Sequence, residues 1–227
     1  MMVLPDSLIP SNEEDRLQAL APFRALHVLP DVVFDAFVEL VALLFDAPVA
    51  MLSFVDADTV WMKALYGLSE PRRVPRDQSL CSVTILRETT TVIQNLNEVG
   101  LPTPIADLLN EMLHLRFYVG HPLQTPEGYN IGVLGIAGRE VRLFDEAQQQ
   151  RLRDLASLAM QLLQLRLALL HNGENPAPVW TFFYDELMQC IVQLEPGSLD
   201  AASRLQTIDQ IVTLLQSYLN RATVIQP

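Results

Sequence analysis

The sequence predicts an α+β fold in which helices flank a central antiparallel sheet, with a helical hairpin added at the C-terminus. Two pairs of short apolar runs, at 48–66 and 116–138, each contain a turn and predict two β-hairpins. Elsewhere, apolar residues recur at steps of three and four, which is the spacing of amphipathic helices. Hydrophobic residues make up 50% of the chain, enough apolar material to bury a sizeable core.

Two helices are predicted before the first strand. Ser11 and Glu14 have the spacing of a capping box and open a short helix, which Pro22 disturbs or ends. A stronger helix begins at Pro30–Asp31. Its apolar side chains form one face: Phe34, Phe37, Val38, Val41, Leu44 and Phe45.

Short strands and helices are predicted across the middle of the chain. In the first hairpin, strands 48–55 and 59–66 flank a turn at Asp56–Asp58, and Gly67 ends the second strand. The stretch 69–77 is interpreted as a loop because it holds two prolines and five charges. The next segments are assigned in order: a short helix at 79–87, a strand at 89–95, a helix at 104–115, and strands at 116–123 and 131–138.

The longest predicted helix runs from Phe144–Asp145 to about Leu170, and Asp145 with Gln148 fits a capping box. Its apolar residues lie on two sides, so we expect it to pack against its own sheet and against a further helix. One stripe has heptad spacing and consists of Leu155, Leu158, Leu162, Leu165 and Leu169, and the other of Ala156, Ala159, Leu163 and Leu170.

A linker-like composition at 171–178 separates this helix from two more amphipathic helices, which a turn at Glu195–Ser198 joins. We therefore divide the chain into a domain at 1–172 and a helical extension at 173–227. The apolar stripes can be covered if the hairpin folds back on its own long helix, or if helices pair in a homodimer. We expect the homodimer, since three amphipathic helices supply more apolar surface than one small hairpin can bury.

Composition excludes several classes of function. The formal net charge of -12 and the pI near 4.6 disfavour binding to nucleic acids or to anionic membranes. Cys81 and Cys190 fit neither a disulfide framework nor a metal site, so no metal or cofactor is predicted. The N-terminus does not read as a signal peptide and no uncharged run is as long as a membrane span, so we expect a cytoplasmic protein.

Three segments in order carry a resemblance to a known family. LPDVVFDAFVELVALLFDAPVAMLSFVDADTVWMKALYGL, SLCSVTI and LRFYVGHPLQTPEGYNIGVLGIAG resemble the opening, the SFCAHAI segment and the RFYAGAPL segment of bacterial GAF domains. The similarity covers about residues 12–170. It implies a PAS-related fold shaped like a cup, in which one face of the sheet, covered by loops and short helices, holds a small ligand.

The chain also departs from the family pattern. Val83 stands where the family often has a histidine, two places after the cysteine, and 95–109 lacks the family's Asp-x-Arg-Phe segment. No nucleophile elbow, phosphate-binding loop or dinucleotide fingerprint is present, so the chain is expected not to be an enzyme. The altered polar residues leave the ligand open.

Three of the six ligand-binding positions implied by the resemblance lie in the first half of the chain. Trp61 stacks on a planar ligand or is a core residue. Lys63 shares its strand face and binds an anion if that face lines the pocket, or is a solubilising charge if it is exposed. Cys81 is a reactive site or, as we expect without a neighbouring histidine, a buried inert thiol.

The other three positions lie on one strand. Arg116 and Tyr118 share one face; Arg116 could clamp a carboxylate or phosphate, or pair with Asp107 or Glu111. His121 lies on the opposite face at the strand end and is expected to be a hydrogen-bonded structural residue, not a metal ligand.

Three functions remain. The first is a sensory or regulatory dimer that binds an unidentified small molecule and signals to a partner protein. The second is a degenerate domain whose pocket is filled by its own side chains and which dimerises and binds proteins. The third, disfavoured because only Cys81 lies in the matched fold, is a methionine sulfoxide reductase. An open polar pocket would favour the first, and a packed interior the second.

Overall fold

A six-stranded antiparallel sheet with helices on both sides forms the centre of the fold, and it confirms the predicted α+β class. The computed structural model describes residues 7–26, 31–68, 72–171, 177–194 and 200–224. The strands are β1 (Val49–Val55), β2 (Thr59–Tyr66), β3 (Arg73–Pro75), β4 (Thr91–Ile93), β5 (Phe117–Gln124) and β6 (Asn130–Gly138). The helices are α1 (Glu13–Leu20), α2 (Val32–Phe45), α3 (Leu80–Thr84), α4 (Thr103–Ala106), α5 (Glu146–His171), α6 (Ala177–Gln193) and α7 (Ala201–Val224).

The strand order is β3-β2-β1-β6-β5-β4, so the two predicted hairpins, β1–β2 and β5–β6, meet side by side at the centre. All seven residues of β1 are buried, because its neighbours are strands on both edges and both of its faces are covered. That explains why this strand reads as a continuous apolar run without alternation.

The two faces of the sheet contribute to separate hydrophobic clusters. On the helix face, α2 and α5 pack on the sheet against Leu52, Phe54, Phe117 and Val119, among others. On the cup face, α3, α4 and their loops cover Val49, Met51, Tyr118, Val133 and Ala137.

The C-terminal hairpin forms a further layer over the helix face, where α6 packs on α2 and α7 packs on α5. Gln161 of α5 and Gln216 of α7 exchange two side-chain hydrogen bonds of 3.1 and 2.8 Å. The five leucines of the predicted heptad stripe are all buried in the same cluster as Ile208, Leu215 and Leu219 of α7. The hairpin therefore folds back on its own long helix. The homodimer was expected because the apolar stripes needed a cover, and the hairpin now supplies that cover, so the homodimer stays a prediction that this argument no longer supports.

Other sequence predictions differ locally. The loop predicted at 69–77 contains β3, a short edge strand that pairs with Thr59–Trp61 and ends at Pro75. Pro22 disturbs the first helix, as expected: α1 ends at Leu20 and the chain continues as a 3-10 helix at Ala21–Leu26.

The two predicted capping boxes have different outcomes. The box at Ser11–Glu14 is wrong, because Asn12 is the N-cap of α1 and makes no side-chain capping bond. The box at the start of α5 is confirmed, since Asp145 and Gln148 exchange reciprocal backbone-to-side-chain bonds of 3.0 and 2.8 Å. The turn predicted at Glu195–Ser198 lies outside the described residues. No helix in the described ranges has the length and apolar content needed to cross a bilayer.

Candidate functional site

The cup is almost filled by the protein's own side chains. A cavity of about 50 Å³ remains between the sheet and the segments that cover it. Its walls are nearly all apolar, and include Met51, Met62, Leu65, Leu108, Leu109, Leu113, Leu115 and Ala137. Ligand pockets in proteins usually measure roughly 300 to 1,000 Å³, so this space is too small for a metabolite as it stands.

The leucines that fill the cup come from an irregular segment. The predicted helix at 104–115 is in fact α4 followed by a π-helix at Asp107–Met112, and the chain then turns at His114 with a φ of 53°. Leu108 and Leu109 are each 8% exposed and pack in the cup cluster. We call residues 103–115 the lid. A π-helix is rare and is found mostly at functional positions.

The polar groups at the base of the cup satisfy one another. The Tyr118 hydroxyl lies 3.0 Å from Thr84 Oγ1 and donates to Cys81 Sγ at 3.9 Å. Burial, together with the neighbouring Cys81, raises the pKa of Tyr118 well above its ordinary value of 10.0, so the phenol stays neutral. Cys81 is 2% exposed in α3, where its N–H donates to Ser79 Oγ. This pair is therefore fully buried and has no polar group left to offer a ligand directly.

Trp61 and Lys63 lie on the helix face, away from the cup. Trp61 is 4% exposed and its ring centroid lies 4.4 Å from that of Phe54. Lys63 Nζ donates to the Leu26 carbonyl at 2.7 Å and lies 5.3 Å from the centre of the Phe34 ring. The two side chains share a face as predicted, but α2 covers that face, so a ligand in the cup would not touch them.

The three predicted residues around β5 are separated. Tyr118 reaches the cup, whereas Arg116 is exposed just before the strand and is held by backbone bonds to Leu96 and Gly138. His121 faces α5 on the opposite side of the sheet, with its Nδ1 2.9 Å from Thr90 Oγ1. Of the six predicted positions, the structure thus brings together only Cys81 and Tyr118.

His121 is predicted to make stability depend on pH. Burial lowers its pKa from 6.5 to about 4, and the positive charge of Arg153 adds to the shift. The unfolded chain therefore binds a proton that the folded chain does not, so the contribution is complete above about pH 6.5 and is lost as the pH falls through about 4. We expect urea unfolding to show this loss in the wild type and less of it in His121→Gln. Equal slopes in the two proteins would contradict the assignment.

Two buried polar clusters were missed from the sequence. In the first, Glu13 of α1 binds both Arg16 and Arg76, so Arg76, which lies in the segment predicted to be a loop, is only 6% exposed. In the second, Asp31 caps α2 and accepts bonds from Arg166 and Trp180. Glu13 and Arg16 are only three residues apart, but Arg76 is far from Glu13 in the chain, and Arg166 and Trp180 are far from Asp31, so no local spacing signals those contacts.

Comparison with known proteins gives relatives of mixed function. The chain is 30% identical over 135 residues to a cyclic di-GMP phosphodiesterase of Pseudomonas aeruginosa; the match covers 59% of this chain and spans 22% of that protein. A domain of a two-component sensor histidine kinase protein from Sinorhizobium meliloti superposes with a TM-score of 0.53 at 17% identity, over 63% of this chain and 96% of that one. The free methionine-R-sulfoxide reductase of Neisseria meningitidis, solved with its substrate, gives a TM-score of 0.48 at 18% identity, over 72% and 96%.

These relatives correct one expectation. The absence of catalytic motifs led us to expect that the chain is not an enzyme, and that expectation is wrong: the curated relative is named for its phosphodiesterase activity. That name describes the activity of the whole relative, of which the matched region is 22%.

The family itself follows from the sequence profile and the fold together. The profile of the GAF domain matches residues 30–163, which is more than half of the chain. The matched region runs from the start of α2 into α5 and contains the whole sheet and the cup. The chain belongs to the GAF domain family.

Proposed function

We propose that this chain is a regulatory GAF module that controls an enzyme through its protein surface, with a cup that is packed by its own side chains. The single observation that carries the proposal is the cup: about 50 Å³ of space, apolar walls, and polar groups at its base that already bind one another. A polar metabolite entering it would need to displace the lid leucines and would find few hydrogen-bond partners.

The nature of the controlled enzyme is proposed from the curated relative. That protein is named a cyclic di-GMP phosphodiesterase, and the region matched by this chain is a minor part of its length. A GAF module of this kind can therefore accompany a catalytic unit, and we propose a phosphodiesterase of cyclic dinucleotides as the class of enzyme that is regulated.

A second function, a sensor of small molecules, is favoured by the lid. The π-helix at Asp107–Met112 and the positive φ of His114 mark a backbone that is not in its most stable form, and such segments often move at functional sites. Outward movement of Leu108 and Leu109 would enlarge the cavity. The ligand would then be mainly apolar, because those walls are apolar.

Thermal unfolding with added ligands tests the two functions. Cyclic di-GMP, cyclic AMP and cyclic GMP are each added to the wild-type protein, and we expect no saturable rise in the melting temperature, because a filled cup has no site for them. A saturable rise that Tyr118→Phe changes would instead support the sensor and contradict the packed cup.

An enlarged cup provides the control for the method. Leu109→Ala should destabilise the protein by about 2 to 5 kcal/mol and open an apolar cavity. Benzene should then raise the melting temperature of the variant more than that of the wild type, as it binds dry apolar cavities. Equal effects on both proteins would show that the cup already opens in the wild type.

A further inference from the structure

A long groove runs along one side of α5, on the opposite side of the sheet from the cup. It has two sections, of about 510 and 450 Å³, and both are lined by Thr125, Pro126 and Gln164. The first section lies between α5 and the end of β5, and the second between α5, the β5–β6 turn and the first helical segments of the chain. We call the two sections together the α5 groove.

The groove has the length and the floor that an extended peptide needs. From Arg153 to Leu167 it follows α5 for about 21 Å at 1.5 Å per residue. That span matches about six residues of an extended chain. Apolar side chains of Phe23, Met160 and Leu167 lie along it.

The walls of the groove also carry polar side chains that can form hydrogen bonds with the backbone of a bound peptide. Gln164 presents a side-chain amide, which can pair with backbone N–H and C=O groups, and the Oε1 of Gln124 is a further acceptor, whereas the Gln161 amide is already bonded to Gln216. His121 is 8% exposed and lines the same wall, and among the described residues its ring bonds only to Thr90, through Nδ1. Nε2 is therefore a polar atom without a partner in the described structure, next to the groove, and a bound segment would satisfy it.

Charge selects the kind of segment. Four carboxylates line the groove, from Asp15, Glu88, Glu127 and Asp154, against the single guanidinium of Arg153. A second copy of this chain, with its net charge of -12, would be repelled. A cationic partner is attracted, and its apolar side chains would meet the apolar floor.

We propose that the α5 groove docks an extended segment of a partner protein in which basic and apolar residues alternate. This inference rests on the proposed function, because it assigns the surface through which the module acts. The partner's backbone lies along Gln124 and Gln164, its apolar residues face α5, and its basic residues face the carboxylates.

A model peptide tests the proposal directly. The probe is a fluorescein-labelled octapeptide of alternating Lys and Leu, and its binding to the full chain is followed by fluorescence anisotropy. Two further peptides, alternating Glu–Leu and alternating Lys–Ser, separate charge from apolar contact. We expect the Lys–Leu peptide to bind best, and its affinity to fall as salt is raised.

Matched variants locate the site. Glu88→Gln/Glu127→Gln removes one exposed carboxylate from each section of the groove and should weaken binding about fivefold. Glu140→Gln/Asp185→Asn removes the same charge from exposed positions outside the groove and should leave the affinity nearly unchanged. Ser157→Tyr, which places a large side chain in the first section, should reduce binding further.

Several outcomes would overturn the proposal. Equal losses in both double variants would show attraction by total charge alone, and absence of Lys–Leu binding would show that the groove docks no such segment. The proposal of a packed cup is tested separately, by thermal unfolding with cyclic nucleotides. Failure of the groove proposal can therefore be distinguished from failure of the proposed function. NMR shifts confined to α5 and the β5–β6 turn would support the groove, whereas shifts at Cys81 and Tyr118 would contradict it.

Discussion

Replacement of Glu13 by glutamine is expected to lower the free energy of unfolding by about 3 to 5 kcal/mol. The Glu13 carboxylate binds Arg16 through two bonds of 2.8 Å and also pairs with Arg76. Both guanidiniums are buried, at 1% and 6% exposure, so they cannot turn to water when the carboxylate charge is lost. Carbonyl oxygens of Val55 and Leu8 would remain as partners, but they carry no full charge.

The same carboxylate predicts a loss of stability in acid. Burial alone would raise the Glu13 pKa, but hydrogen bonds and charges from Arg16 and Arg76 outweigh it, and the pKa lies below 4.5. This contribution is therefore complete above about pH 4.5 and disappears as the pH falls through the lower, folded-state pKa. Glu13→Gln should lack this part of the acid transition.

Urea unfolding measured by circular dichroism checks the effect, and Glu14 supplies the control. Glu14 is the next residue in α1 and is exposed, so Glu14→Gln should change stability by only about 0.5 kcal/mol. Equal effects of the two variants would mean that the cluster contributes little more than a surface charge.

Replacement of Trp180 by alanine is expected to cost about 3 to 5 kcal/mol and to loosen α6 from the rest of the protein. The indole is 7% exposed, lies against Phe34 at 5.7 Å and under the Arg166 guanidinium at 5.0 Å. Its Nε1 donates to Asp31 Oδ1 at 2.6 Å. One side chain thus joins the hairpin to α2 and to α5.

Two companion variants separate packing from hydrogen bonding. Trp180→Phe keeps an aromatic ring but loses the bond to Asp31, and should cost about 1.5 to 3 kcal/mol. Phe182→Ala, on the same helix, removes a ring that is 43% exposed and should cost about 1 kcal/mol.

Amide hydrogen exchange of residues 177–193 reports the loosening. It should accelerate in Trp180→Ala and stay near the wild-type rate in Phe182→Ala. Unchanged exchange in Trp180→Ala would show that contacts other than those of Trp180 hold α6 in place.

The order and type of most elements could be predicted from the sequence because their apolar patterns are local. The sharp turns were also readable, as Asp56–Asp58 between β1 and β2 shows. The short edge strand β3 was missed, because the prolines and charges of the stretch 69–77 are typical of a loop, and only pairing with β2 makes Arg73–Pro75 a strand.

The site could be predicted only in part. Strand alternation places Trp61 and Lys63 on one face, but it does not say which face is the cup when both faces are buried. The sequence shows that the lid is apolar, but it does not show that Leu108 and Leu109 point into the cup and fill it. Burial of Arg76 depends on Glu13, which is distant in sequence and close only after folding.

The central position of β1 also sets the order in which the protein can be built on the ribosome. Strands β1, β2 and β3 leave the ribosome early and can pair at once, but the other edge of β1 belongs to β6. Until β6 is synthesised, the nascent chain presents an open, fully apolar strand edge, which is a template for mispairing with other chains. The outer faces of α2 and α5 stay exposed for longer, since α6 and α7 cover them only when residues 177–224 have been made. Nascent-chain chaperones would therefore protect this protein most in the interval between the synthesis of β3 and that of α7.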